Sequence, residues 1–209
     1  MEQIIPQLST LFSFVGNLCY SKEGDKFRAF LQPHYDFILK KISHIFMSIQ
    51  FEADFTRLWL ALINFLVNLS THSQFRGKLA SNCEGILKFL IETCITCIKK
   101  KHTGWDMQLE YCLGILINIS LDISSHELLC DFNLPRQFNS LMSSEYNRNS
   151  EVYIRLLNLC GKMTKCAQFM QQIFNSLFLI NHIITDFESF MNKSLDNSIR
   201  YKVGLFNSF

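Results

Sequence analysis

The sequence predicts an all-α protein, an α-solenoid of about four stacked helical repeats with incomplete ends, and three observations carry that expectation. Apolar residues make up 48% of 209 positions while Gly and Pro number only 8 and 3, which excludes a disordered chain, a collagen-like chain and a loop-rich sandwich. A short phrase with a central Asn recurs along the chain. Each copy closes a segment whose apolar residues follow the helical period. A chain this long buries a sizeable core without disulfide staples, and residues 1–209 read as one repeat domain.

The recurring phrase is Phe14-Val15-Gly16-Asn17-Leu18-Cys19, then Phe65-Leu66-Val67-Asn68-Leu69-Ser70, Ile115-Leu116-Ile117-Asn118-Ile119-Ser120 and Arg155-Leu156-Leu157-Asn158-Leu159-Cys160. A degraded fifth copy is Leu205-Phe206-Asn207-Ser208. The aligned asparagines lie 51, 50, 40 and 49 residues apart, a period of about forty with insertions. The units run 1–21 (partial), 22–70, 71–121, 122–163 and 164–209 (partial).

The elements follow in order. Residues 1–21 open inside a long helix, the last of its unit. In the second unit Leu58, Leu62, Phe65, Leu66 and Leu69 repeat at i, i+4, i+7, i+8 and i+11, one face of a buried helix. Leu109, Leu113, Leu116 and Ile117 repeat the first four terms in the third unit, and Val152, Leu156, Leu159 and Met163 keep one face in the fourth. After each long helix comes a polar break, such as Ser70-Thr71-His72-Ser73 or Asp122-Ile123-Ser124-Ser125, rich in residues expected to cap the next helix. Short helices are expected at 75–80, 127–132 and 167–173, followed by longer second helices at about 85–100, 134–143 and 174–191. Short, medium, long is the expected order in every unit. The 20 Phe residues are expected to fill the space between layers. Neither end carries the polar outer face of a capping repeat, so the chain reads as an interior slice of a longer stack, or as one that docks its apolar ends elsewhere.

Three helices per unit of about forty residues, with Asn-Leu near the end of the third, resembles the armadillo repeat over nearly the whole chain. The resemblance implies a right-handed superhelix whose third helices line a concave groove, with 33–54 and 99–106 as extended second helices or loops on the convex side. In the nuclear-import members of that family, groove Asn residues bind extended peptide backbones, each paired with a Trp one turn earlier. Here the positions four residues before the five asparagines are Ser13, Asn64, Gly114, Ile154 and Val203. None is Trp, so a receptor for nuclear-localisation signals is disfavoured. Asn68, Asn118 and Asn158 remain the candidate groove positions, either contacting a peptide or hydrogen-bonding neighbouring backbone within the stack.

Other chemistry has little support in the sequence. There is no Gly-rich phosphate loop, no Gly-x-Ser-x-Gly elbow and no His-Glu-x-x-His, and the six histidines do not fall at ligand spacing. No catalytic residue, metal ligand or cofactor is assigned. Cys94-Ile95-Thr96-Cys97 lacks the second ligand pair that zinc wants, and it lies late in an apolar run where a redox motif would open a helix. It reads as two small residues on a packed helix. A net charge of +2 gives no electrostatic case for nucleic acid. The one basic run, Lys99-Lys100-Lys101-His102, reads as solvated cations at a helix C-terminus. Eight cysteines, mostly inside apolar runs, point to a reduced, intracellular protein. The Asn-x-Ser matches at Asn68 and Asn118 sit inside apolar helices where a glycan does not fit, and the third, at Asn192, is read as chance. The N-terminus lacks the basic start of a signal peptide, and the longest apolar run, 58–69, is too short to span a bilayer, so no membrane insertion is expected.

The expected function is therefore a non-enzymatic protein-interaction scaffold whose partner is an extended peptide or a helix. Within the family, the Phe- and Cys-rich Leu-x-Asn-Leu repeats look most like armadillo regions that follow a tetratricopeptide block. That resemblance implies a cytoplasmic factor in axonemal dynein arm assembly, with chaperones or dynein components as partners. The competing expectation is a structural or regulatory segment of a larger armadillo protein with no ligand of its own.

Overall fold

Long apolar stretches separated by short polar breaks leave the chain one economical way to hide its side chains: helices that pack on one another in register. The computed structural model describes residues 4–48, 56–82, 84–100, 106–143, 151–175, 181 and 184–185. Within them lie α1 (Ile4–Tyr20), α2 (Gly24–Leu31), α3 (Tyr35–Ser48), α4 (Thr56–Ser70), α5 (Ser73–Asn82), α6 (Glu84–Lys100), α7 (Asp106–Ile119), α8 (His126–Asp131), α9 (Leu134–Ser143), α10 (Glu151–Met163) and α11 (Ala167–Phe174). Single 3₁₀ turns, Gln32–His34 and Ile123–Ser125, lead into α3 and α8. No strand occurs among the described residues.

Neighbouring helices pack in rows. The helices carrying the Asn phrase, α1, α4, α7 and α10, touch in that order, each against the next. The second helices α3, α6 and α9 form another such sequence of contacts, and α8 touches α11. The helical period explains the burial. Leu58, Leu62, Phe65, Leu66 and Leu69 are all buried on α4, as are Leu109, Leu113 and Leu116 on α7 and Val152, Leu156, Leu159 and Met163 on α10. Each fully enclosed Leu contributes roughly 1.5–3 kcal/mol from burial, and one continuous apolar cluster runs from Cys19 to Ile173.

Aromatic pairs join the layers. Phe12 meets Phe65 between α1 and α4, Phe46 meets Phe89 between α3 and α6, and Phe138 meets Phe169 between α9 and α11, at centroid distances of 5.6, 4.9 and 6.2 Å. The Phe excess fills the layers only in part, because Phe14, Phe30, Phe37 and Phe174 are exposed.

Two local expectations need correction. The order short, medium, long fails in the third unit, where α6 has 17 residues and α7 has 14. The polar breaks also act backward more than forward. Ser21, Ser70, Thr71, Ser120 and Thr164 donate their hydroxyls to carbonyls three residues earlier, and Ser125 Oγ reaches back to Ile119 O at 2.7 Å. At α8, Ser125 makes no side-chain cap bond to the helix it precedes. These hydroxyls satisfy the orphan carbonyls that end one helix rather than the orphan amides that start the next.

No single helix among the described residues is long and apolar enough to cross a membrane; Met107–Ile119 with Ile123–Asp131 reaches that composition only across a 115° bend. The expected helix at 174–191 lies largely outside the described residues, and Asn192 and the fifth phrase around Asn207 lie wholly outside them.

Candidate functional site: the asparagine row

The candidate site is the row α1, α4, α7 and α10, whose helices present the recurring phrase to their neighbours. Asn68 is 8% exposed on α4, and its Nδ2 donates to Gly16 O of α1 at 3.0 Å and to Asn64 Oδ1 at 3.4 Å. Asn118, half-buried on α7, donates to Val67 O of α4 at 3.4 Å and to Ser70 Oγ at 2.9 Å. Gly16 and Val67 are equivalent positions, each the residue before the phrase Asn of its own helix. The same amide therefore meets the same carbonyl one unit back, twice in succession. Asn158 on α10 is half-buried and makes no such bond among the described residues.

The consequence for recognition is specific. A side-chain amide has two N–H donors, and at Asn68 and Asn118 both are directed at groups within the stack. Only their Oδ1 atoms are left as acceptors toward a partner, whereas Asn158 keeps its donors.

A second repeated device lies at the end of each phrase helix. Arg28 Nη1 donates to Cys19 O, Arg76 Nη1 to Ser70 O and Thr71 O at 3.3 and 2.8 Å, and His126 Nε2 to Ser120 O at 2.7 Å. Because a carbonyl oxygen only accepts, Nε2 of His126 carries the ring proton. Its Nδ1 is buried without a partner among the described residues. Cys19, Ser70 and Ser120 are equivalent positions, so each acceptor is the terminal carbonyl of a phrase helix, where a donor or cation complements the helix dipole. Arg76 goes further: its Nε donates to Asp122 Oδ2 at 3.0 Å, tying α5 to the break after α7. Sequence reasoning missed this clamp. Its signal was a basic residue six positions after the phrase, at Arg76 and His126.

On α7 Met107 is 53% exposed, Glu110 and Asn118 are half-buried and Gly114 is buried, while Leu121, just past the end of the helix, is 49% exposed. A Cβ on Gly114 would lie 3.7 Å from Arg155 Nη1 of α10 and 3.8 Å from both Val67 methyls of α4. Arg155 Nε lies 3.7 Å from Glu151 Oε1, one turn earlier on α10.

The thiols are buried features of the stack. Cys94 and Cys97 are each 1% exposed on α6, and Cys112 on α7 is fully buried. Burial first, then a hydrogen bond with Cys94, pushes the Cys112 thiol well above its ordinary value. Burial likewise raises Cys160 to about 12. The seven described cysteines are free thiols. Among the described residues no group of three or more His, Cys, Asp or Glu could hold a metal ion.

Compared with protein-family models the chain matches none, and none of the curated proteins matches it.

Proposed function

We propose that the chain is an armadillo-type α-solenoid acting as a protein-interaction scaffold, with the α4, α7 and α10 row as the surface that meets an extended peptide or a helix. The observation that carries this reading is the repetition of one amide-to-carbonyl bond, Asn68 to Gly16 and Asn118 to Val67, in the same register one unit apart. A stack built by translating one unit presents a long continuous surface while each unit contacts only its neighbours. The likeness of the repeats to the C-terminal armadillo region of tetratricopeptide repeat protein 12 supports a cytoplasmic role in preassembling axonemal dynein arms, with dynein chains or chaperones as the partner.

The test is a titration of the purified chain with purified axonemal dynein chains and with cytosolic chaperones. Saturable binding that falls at least fivefold when Met107→Glu and Leu121→Glu are introduced at the exposed apolar residues near the two ends of α7 supports the scaffold. Binding to none of them refutes it. The second reading, a structural segment of a larger armadillo protein with no ligand of its own, draws on the inward use of both amide donors at Asn68 and Asn118.

A further inference from the structure

The Sγ atoms of Cys130 and Cys166 lie 3.7 Å apart, from residues 36 positions distant in the chain. Cys130 is near the end of α8, and Cys166 immediately precedes α11 in an extended conformation (φ −91°, ψ 113°). Both backbones are held. Cys130 O accepts from Asn133 N at 2.8 Å, Cys166 N donates to Met163 O at the end of α10 at 2.9 Å, and Cys166 O accepts from Met170 N at 3.0 Å. A disulfide needs its sulfurs at about 2.05 Å. Forming the bond brings the two sulfurs about 1.7 Å closer, between helices α8 and α11 that are already in contact.

We propose that Cys130 and Cys166 form an oxidation site, a thiol pair that hydrogen peroxide converts into a disulfide joining α8 to the N-terminus of α11. Cys166, 7% exposed against 3% for Cys130, is the first to react. Its sulfur attacks one peroxide oxygen as the thiol proton is lost; the O–O bond breaks, hydroxide leaves and takes up that proton, and Cys166 becomes a sulfenic acid. Cys130 Sγ then attacks the Cys166 sulfur. The S–S bond forms, the S–O bond breaks, and the departing hydroxide takes the Cys130 proton as a second water. Two thiols are oxidised by two electrons and one peroxide is reduced to two waters. The second step is favoured by proximity, because the Cys130 sulfur is held 3.7 Å from the electrophilic sulfur of Cys166. The other thiol cluster lacks that access, since Cys94, Cys97 and Cys112 are 1%, 1% and 0% exposed. The link would hold α8 and α11 at their present spacing and pin the end of α10 through Cys166.

The test treats the native chain with a small excess of hydrogen peroxide, unfolds and alkylates it, and maps the peptides without reduction. The expected result is a Cys130 to Cys166 link as the dominant cross-link, formed before any link within Cys94, Cys97 and Cys112 and reversed by dithiothreitol. In a Cys130→Ser chain the same treatment gives a Cys166 sulfenic acid that dimedone captures. The wild-type map decides the matter even if that variant does not fold. Alkylation of both Cys130 and Cys166 after peroxide, or a first link elsewhere, overturns the proposal.

Discussion

The contact of α10 with α7 differs from the two contacts before it, although the same phrase faces each. At α1/α4 and α4/α7 the phrase Asn reaches back to a carbonyl; at α7/α10 it does not among the described residues. The carbonyl's own residue changes along the row from Gly16 to Val67 to Ile117. The Asn bond goes from 3.0 Å to 3.4 Å to none. At Gly16 a Cβ would sit 3.4 Å from Phe65 Cα, so the glycine permits the close approach of α1 to α4. At the third contact Arg155 crosses the gap left by Gly114 instead. One sequence signal thus does two jobs, bonded inward at two contacts and left with its donors at the third.

High pH should destabilise the fold, because burial raises the thiols of Cys19, Cys112, Cys130 and Cys160 above their ordinary value. Their pKa values are raised on folding, so this stability is complete below about pH 9. It declines between about 9 and 12, where the unfolded chain loses thiol protons that the folded chain keeps, by up to about 1.4 kcal/mol per pH unit for a fully enclosed thiol. Melting curves from pH 8 to 10.5 should fall, and Cys160→Ala should flatten the fall.

Arg76→Ala should cost about 2–4 kcal/mol in denaturant unfolding, since it strands Asp122 and two terminal carbonyls at once. Gly16→Val, which imports the larger residue of the next helix, should cost about 1–3 kcal/mol by forcing α1 away from α4. Replacing the asparagines by Ala should cost about 1–2 kcal/mol at Asn68, about 1 at Asn118 and under about 0.5 at Asn158. Equal costs at all three positions would contradict the distinction drawn between the contacts. Asn133, at φ 64° after α8, should accept Gly with a change of only a few tenths of a kcal/mol, whereas Asn133→Val should destabilise.

Much of the architecture was legible because it rests on period and punctuation. The helical spacing of Leu58, Leu62 and Leu66, or of Val152, Leu156 and Leu159, states both the helix and its buried face. The recurring Asn marked the row of helices that touch one another. The direction of the polar breaks was not legible, because Ser and Thr hydroxyls serve a preceding carbonyl or a following amide equally well, and only the path of the chain chooses. The Arg76–Asp122 pair was hidden for another reason. Its members are 46 residues apart, and nothing in the local sequence around either one points to the other.

That the chain is helical, where most of its helices run and which faces they bury all follow from composition and a period of 3.6 residues, and these are local properties of the chain. Which asparagines turn their amides inward, which carbonyl each basic residue closes, and the meeting of Cys130 with Cys166 came instead from the packing of one helix on another. Those outcomes depend on distances between helices, and such distances are set by the side chains of two units at once.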